Sequence, residues 1–283
     1  MTDRIHHLDC AHMRPVGALH PRVAPKRLVA HVLVVETDGK VVLVDTGFGR
    51  EDARNPGRLG RIRATMRAEL TEERTAYAQL AGLGIEAGDV TDIVMTHLDL
   101  DHAGGIKDFP NATVHVHEAE LSAARGRPTL TEQTRYVPPQ WMPAPQWQTH
   151  SIGGAHDPEA DGAGWRGFDA AEIVGEDVVM IPLHGHTRGH CGVAVRRPGG
   201  SEAGWFLHAG DAIFDASEAG RKSSCPAGLA AYQRMIRIDA DQWTANRDRL
   251  RSLNSDYADV EIIAAHDTAQ FDRLAGGSGP DAG

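Results

Sequence analysis

The ten residues Thr96-His97-Leu98-Asp99-Leu100-Asp101-His102-Ala103-Gly104-Gly105 constrain this chain more than any other stretch. Four metal-capable side chains fall within six positions. His97, Asp99 and Asp101 alternate, so an extended segment projects them to one side. His102 follows where the chain turns into Ala-Gly-Gly. Imidazole and carboxylate at this density suit one or two divalent cations. Without a cation, the same carboxylates are costly to bury. The alternative reading is a solvated acidic loop that holds two histidines. The apolar run Asp89 to Met95 predicts a short strand that delivers the loop.

Three further elements have the same form, an apolar strand that runs into a potential ligand. Leu183-His184-Gly185-His186-Thr187-Arg188-Gly189-His190 places three histidines in seven residues, among glycines that permit close backbone approach. A His-rich turn is the alternative there. His208-Ala209-Gly210-Asp211 ends a strand in a carboxylate, and Ile262-Ile263-Ala264-Ala265-His266-Asp267 ends one in an imidazole. Taken singly, an Asp or His at a strand end is commonly a turn former. Their force lies in the repetition, with loops that can open on one edge.

The rest of the pattern predicts an α/β domain. Leu28 to Glu36 and Lys40 to Asp45 read as strands joined by a turn at Thr37-Asp38-Gly39. The second ends in the sharp polar turn Asp45-Thr46-Gly47-Phe48-Gly49. Thr71 to Ala81, Glu118 to Arg125 and Asp239 to Leu253 read as helices. Thr113 to Val116, Glu176 to Leu183, Cys191 to Arg196, Gly204 to Ala209 and Val260 to Ala264 read as strands. No boundary interrupts this order, so residues 1–283 are expected to form a single domain. Residues 127–167 gather prolines, glycines and Trp141, Trp147 and Trp165. They form either a lid over the site or a packed insert, and Trp141 and Trp147 are candidate pocket residues. Residues 275–283 read as a flexible tail.

Composition narrows the partners. A formal charge of −10 over 283 residues argues against nucleic acid and against an anionic membrane surface, leaving a small-molecule substrate. Cys10, Cys191 and Cys225 form no CxxC pair, so neither a disulfide framework nor an all-cysteine zinc site is indicated. Cys191 reads as a core residue, and Cys225 lies in a loop where a reactive thiol is conceivable. No apolar run reaches transmembrane length, and no signal-like segment opens the chain, so a cytoplasmic location is the expectation. A homo-oligomer is compatible with the sequence but not derivable from it.

The order of these elements resembles the metallo-β-lactamase superfamily, from about Leu28 to Phe271. Val44-Asp45-Thr46-Gly47 is similar to its first motif. Thr96-His97-x-Asp99-x-Asp101-His102 is similar to its second, the HxHxDH signature. Gly185-His186-Thr187-x-Gly189-His190 is similar to the third, Asp211 to the fourth and His266 to the fifth. Ala103-Gly104-Gly105 and the terminal Ala265-His266-Asp267 resemble the branch that contains N-acyl-homoserine-lactone hydrolases.

The resemblance implies a four-layer αββα sandwich with a dinuclear metal site at one edge of two sheets. It implies one site of His97, Asp99 and His190, a second of Asp101, His102 and His266, and Asp211 as a bridge. Asp45 and His186 would orient ligands rather than bind. The implied cofactors are two divalent metal ions. The implied activity is hydrolysis of a small ester, lactone or related carbonyl compound by a metal-bridging hydroxide, with Asp101 passing a proton to the leaving oxygen.

Three departures qualify the resemblance. Asp99 stands where the signature has a histidine, which tilts the site from zinc toward harder ions such as iron or manganese. The superfamily's flavodiiron branch also has a carboxylate there, so an iron-dependent oxidoreductase is one alternative function. A non-catalytic metal-binding member is another, although all seven candidate ligands are metal-competent. His184 replaces a proline common in the third motif and is a candidate pocket residue. Lactone hydrolases of this type carry a tyrosine shortly after the bridging aspartate. Here that neighbourhood is Ala212-Ile213-Phe214, and Phe214 is a candidate pocket residue without a hydroxyl.

Overall fold

The computed structural model describes residues 1–15, 17–18, 20–62, 66–143, 145–152, 164–200 and 202–276. Its strands, in chain order, are β1 (Thr2–Asp9), β2 (His12–Met13), β3 (His31–Thr37), β4 (Lys40–Val44), β5 (Ala68–Glu69), β6 (Val90–Val94), β7 (Thr113–His117) and β8 (Gln146–His150). There follow β9 (Ala171–Val174), β10 (Val178–Pro182), β11 (Cys191–Arg196), β12 (Trp205–His208) and β13 (Val260–Ile263). The helices are α1 (Arg50–Arg54), α2 (Ala76–Gly82), α3 (Glu118–Gly126), α4 (Leu130–Arg135), α5 (Ala227–Ile236), α6 (Ala240–Asp256) and α7 (Thr268–Gly276). One sheet runs β1-β3-β4-β6-β7-β8 and the other β13-β12-β11-β10-β9; β2 and β5 make a small ribbon.

Side-chain alternation explains the layering. In β3, Leu33 and Val35 point into one apolar cluster and Val32 and Val34 into another. In β10, Val178 and Met180 join Leu33 and Val35, while Val179 and Ile181 face the opposite side. The shared cluster lies between the two sheets. Outside the first sheet, Val32, Val34 and Val114 pack on Leu80 of α2 and on Leu121 and Ala124 of α3. Outside the second, Ile181 and Leu207 pack on Leu250 and Leu253 of α6. The result is the αββα sandwich that the family resemblance implied.

The two-residue turn Asp38-Gly39 has φ of 48° and 74°, the geometry that suits a tight hairpin between β3 and β4. β4, β6, β7 and β8 then run parallel. The loops after β4 and β6 therefore leave the sheet at the same end, and that brings Asp45 to the segment beginning at Thr96. In the second sheet β12 and β13 are parallel, so Asp211 and His266 emerge together.

The structure adds elements that local pattern does not reveal. β1 carries Ile5 and Leu8 among polar residues and is held by antiparallel pairing with β3. Helices α5 and α7 and strands β8 and β9 are likewise additions. The described part of residues 127–167, read as either a lid or a packed insert, contributes α4 and β8. Its β8 extends the first sheet, and Trp141 packs in the outer cluster with its ring 6.1 Å from that of Trp147. Trp165 sits against Trp205 outside the second sheet. Residues 153–163 of that segment lie outside the described residues, as do 277–283 of the expected tail. Residues 275 and 276 of that tail complete α7.

Candidate metal centre

The four strand-end loops converge at one edge of the sandwich. His97, Asp99, His186 and Asp211 each offer a ligand atom within 4.8 Å of the others; Asp101, His102 and His266 form a second such group. All seven are buried. Asp211 faces both groups with different oxygens. Its Oδ2 lies 3.7 Å from His97 Nε2 and 3.4 Å from His186 Nε2, and its Oδ1 lies 3.4 Å from His102 Nε2 and 3.1 Å from His266 Nε2. Ligands around one tetrahedral ion at about 2.1 Å are themselves about 3.4 Å apart, so the spacing matches a shared cation.

Hydrogen bonds behind the rings fix which nitrogen faces the centre. His266 Nδ1 donates to the Val29 carbonyl at 2.7 Å, and His102 Nδ1 donates to Asp45 Oδ2 at 2.8 Å. A ring that donates from Nδ1 presents the Nε2 lone pair, the form a metal binds. Asp45 also accepts from the Thr96 backbone N–H and from its hydroxyl, both at 2.8 Å. Thr96 Oγ1 then accepts from His97 Nδ1 at 2.9 Å. One buried carboxylate thereby orients two histidines.

The donor atoms have unmet valence. His97 Nε2, His102 Nε2, Asp99 Oδ1 and Asp211 Oδ1 are buried without a hydrogen-bond partner. Such atoms are expensive to bury unless a cation completes them. Burial opposes charge on His102 and His266. Asp211 and Asp101 outweigh it in both cases, with Asp45 adding to the effect on His102, so both rings hold a proton above the ordinary histidine range. Burial raises the Asp101 carboxyl, and Asp211 and Asp99 add to this against the pull of His102 and His266.

His190, expected as a ligand, is placed differently. Its Nδ1 donates to the Leu183 carbonyl at 3.1 Å, and its Nε2 accepts from the Asp211 backbone N–H at 2.9 Å. Both nitrogens are used, so the ring anchors the Asp211 loop. His186, expected to play a supporting part, presents Nε2 to Asp99 Oδ2 at 3.1 Å and takes the position facing the centre. The backbone at Leu183 and Asp211 engages both ring nitrogens of His190, and His186 is left facing Asp99 and Asp211.

Three side chains that the sequence pattern did not single out complete the site. Glu120, fully buried on α3, accepts from the backbone N–H groups of Leu98 at 2.9 Å and Gly189 at 3.1 Å, tying the second motif to the third. Arg135 approaches Asp99, with Nε 3.5 Å from Oδ1. Tyr232 on α5 lines the adjoining cavity. Apolar spacing at Leu229, Tyr232 and Ile236 was the available signal for α5. For Glu120 and Arg135 the sequence carried no signal beyond their charge.

The cavity measures about 350 Å³ and opens onto Asp99, Asp101, Asp211 and His266. Its walls are mostly apolar, including Met13, Leu28, Leu100, Phe214, Leu229 and Ile236. Phe214 meets the His266 ring at 4.6 Å and the Tyr232 ring at 6.3 Å. His184, Trp141 and Trp147, also expected near a pocket, lie elsewhere. His184 Nδ1 bonds the His190 carbonyl at 3.1 Å and its ring sits against His117, while both tryptophans belong to the outer cluster. Cys191 is in the core between the sheets. Burial, with Glu218 and Asp215, pushes the Cys225 thiol up to about 12, which makes it a poor nucleophile.

The family model of the metallo-beta-lactamase superfamily matches residues 25–266. A probable metallo-hydrolase of Mycobacterium tuberculosis is 38% identical over 270 residues, covering 93% of this chain and 80% of that protein. An N-acyl homoserine lactonase of Azorhizobium caulinodans is 26% identical over 249 residues, covering 84% of this chain and 81% of the relative. Among solved structures, an N-acyl homoserine lactone hydrolase holding N-hexanoyl-L-homoserine at its catalytic metal centre superposes with a TM-score of 0.69. That match covers 95% of both chains at 20% identity. A dizinc quorum-quenching lactonase gives a TM-score of 0.54 over 94% of this chain and 86% of the other, at 18% identity. The chain belongs to the metallo-beta-lactamase superfamily and is a metal-dependent hydrolase of that fold. No helix among the described residues is long and apolar enough to cross a membrane.

Proposed function

We propose that this chain hydrolyses a small ester or lactone bearing an apolar arm, at a centre built for two divalent cations. Asp211 carries the reading. It presents one oxygen to His97 and His186 and the other to His102 and His266, on the floor of an apolar cavity. On this reading His97, Asp99 and His186 hold one cation, Asp101, His102 and His266 hold the other, and Asp211 serves both. A cation pair of this kind supplies Lewis acidity to a carbonyl oxygen and to a water.

The chain's own residues do the rest. The apolar walls take the acyl or alkyl arm and exclude water from the reacting carbonyl. Asp101 faces the cavity with no hydrogen bond from a described residue, so its carboxylate is free to accept a proton from the attacking water. It then returns that proton to the leaving oxygen as the acyl C–O bond breaks. Burial, together with Asp101, Asp99 and Asp211, pushes the Tyr232 phenol up to about 12. The phenol is therefore a neutral O–H donor at pH 7, suited to a carbonyl or leaving oxygen. It supplies from α5 the hydroxyl that Phe214 lacks.

The lactonase relative from Azorhizobium caulinodans and the product-bound structural neighbour support a lactone with an acyl arm as the first substrate to try. Three unpaired thiols, Cys10, Cys191 and Cys225, support a reducing compartment such as the cytoplasm. A single domain over residues 1–283 accounts for sheets that exchange side chains throughout the central cluster. The deciding experiment is elemental analysis of the purified protein, followed by a screen of lactones, esters and thioesters with the identified metal restored. Two ions per chain and turnover that vanishes with chelation are expected. A protein with one ion or none, inactive on all three classes, would sink the reading.

A further inference from the structure

Asp99 brings a charge that the superfamily signature does not carry at that position, and the answer to it comes from outside the ligand motifs. Arg135 ends α4 and is only 4% exposed. Its Nη1 donates to the His186 carbonyl at 2.9 Å and its Nη2 to the Ile236 carbonyl at 2.7 Å. These bonds fix the guanidinium plane and leave Nε facing Asp99 Oδ1 at 3.5 Å. Neither Nε nor Oδ1 has a hydrogen-bond partner of its own. The helix is itself anchored. Thr129 and Glu132 cap each other, and Glu132 accepts from Arg188 Nε at 2.7 Å, on the loop that carries His186.

We propose that Arg135 is the charge partner of Asp99, and that this pair governs how tightly the His97–Asp99–His186 side of the centre retains its cation. The inference rests on the metal reading given above. An unpaired buried carboxylate is costly, and a buried guanidinium with no anion is equally so. Three carboxylates, Asp99, Asp101 and Asp211, against one guanidinium leave two negative charges, the same balance as two carboxylates and a neutral histidine at position 99. The chain thus places an oxygen donor on this side without changing the total charge that two cations meet. An oxygen donor shifts preference toward harder ions such as manganese or ferrous iron. A purely structural Arg135 would bond the same two carbonyls but would be indifferent to residue 99.

A double-mutant cycle separates these roles. Wild type, Arg135→Gln, Asp99→His and the double variant are each loaded with manganese or with zinc. Retained metal is measured by elemental analysis through a chelator titration. Arg135→Gln alone is expected to weaken retention of one ion by roughly tenfold to a hundredfold. In the Asp99→His background the same change should cost little, because the carboxylate it answered is gone. Arg135→Lys, which keeps the charge, should retain metal better than Arg135→Gln and guards against a folding defect in the latter. Equal losses in both backgrounds, or Lys no better than Gln, would overturn the pairing while leaving the metal reading intact. A wild-type protein that retains no ion would overturn both.

Discussion

Two clusters of buried histidine in this sandwich have opposite electrostatic characters. His97, His102, His186 and His266 surround Asp99, Asp101 and Asp211. His7, His31 and His208 instead pack on one another, with ring centroids 5.1 and 5.8 Å apart, and on Phe206 and Phe271. Burial disfavours charge in both places. In the second cluster nothing outweighs it. Burial, with neighbouring histidines, takes His31 well below the ordinary value and His7 down to about 4. In the first, the carboxylates reverse the sign for His102 and His266, while burial and Arg135 take His186 down to about 4. Histidines alone make a neutral aromatic core; interleaved carboxylates make a place for cations.

The largest test of that contrast is Asp211→Ala, which removes the one side chain that faces both groups. Loss of several kcal/mol of transition-state stabilisation, about 10³-fold in kcat/KM, is expected, together with loss of bound metal. Steady-state kinetics and elemental analysis check both. Retention of two ions by this variant would break the assignment of Asp211. Next in size is the exchange of roles in the third motif. His186→Ala should abolish one ion, whereas His190→Ala should weaken metal binding by only about 10–100-fold, because it disturbs a ligand's loop rather than a ligand. The reverse order in metal titrations would restore His190 as the ligand.

Tyr232→Phe should leave metal content unchanged and lower kcat by about 10–100-fold, the scale of losing one hydrogen-bond donor to a developing charge. Unaltered kcat would remove the phenol from the reaction. The smallest effect belongs to the second cluster. His7 is depressed in the folded protein from 6.5 to about 4, so as pH falls the unfolded chain binds the proton first. Stability is therefore whole above pH 6.5 and is lost as pH falls from 6.5 toward about 4. His7→Gln should flatten this loss by about 1–2 kcal/mol at pH 5, read from denaturant unfolding of metal-free protein at pH 5 and pH 7. An unchanged slope would show that His7 is not held neutral.

Much of the centre was legible because it is local. The second motif places four metal-capable side chains on one loop, and the strand before it is unmistakably apolar. Asp45, Asp211 and His266 were legible as strand-end residues repeating one form. The choice between His186 and His190 was not. They lie four residues apart, and the decision falls to the Leu183 carbonyl and the Asp211 N–H, groups present at every residue. β1 was hidden for a related reason. Its apolar residues Ile5 and Leu8 are scattered among polar ones, and only pairing with β3 shows that Ile5 belongs to the core.

By itself the sequence determined that imidazoles and carboxylates would lie side by side on a strand-borne loop, because covalent spacing puts those groups together whatever the rest of the chain does. The tertiary structure alone decided which histidine faces the centre, that Arg135 answers the charge of Asp99, and that Tyr232 stands where Phe214 offers no hydroxyl. Those contacts join residues 21, 36 and 18 positions apart, across separate elements. No local pattern encodes such a meeting, because packing of whole helices against the strand-end loops creates it.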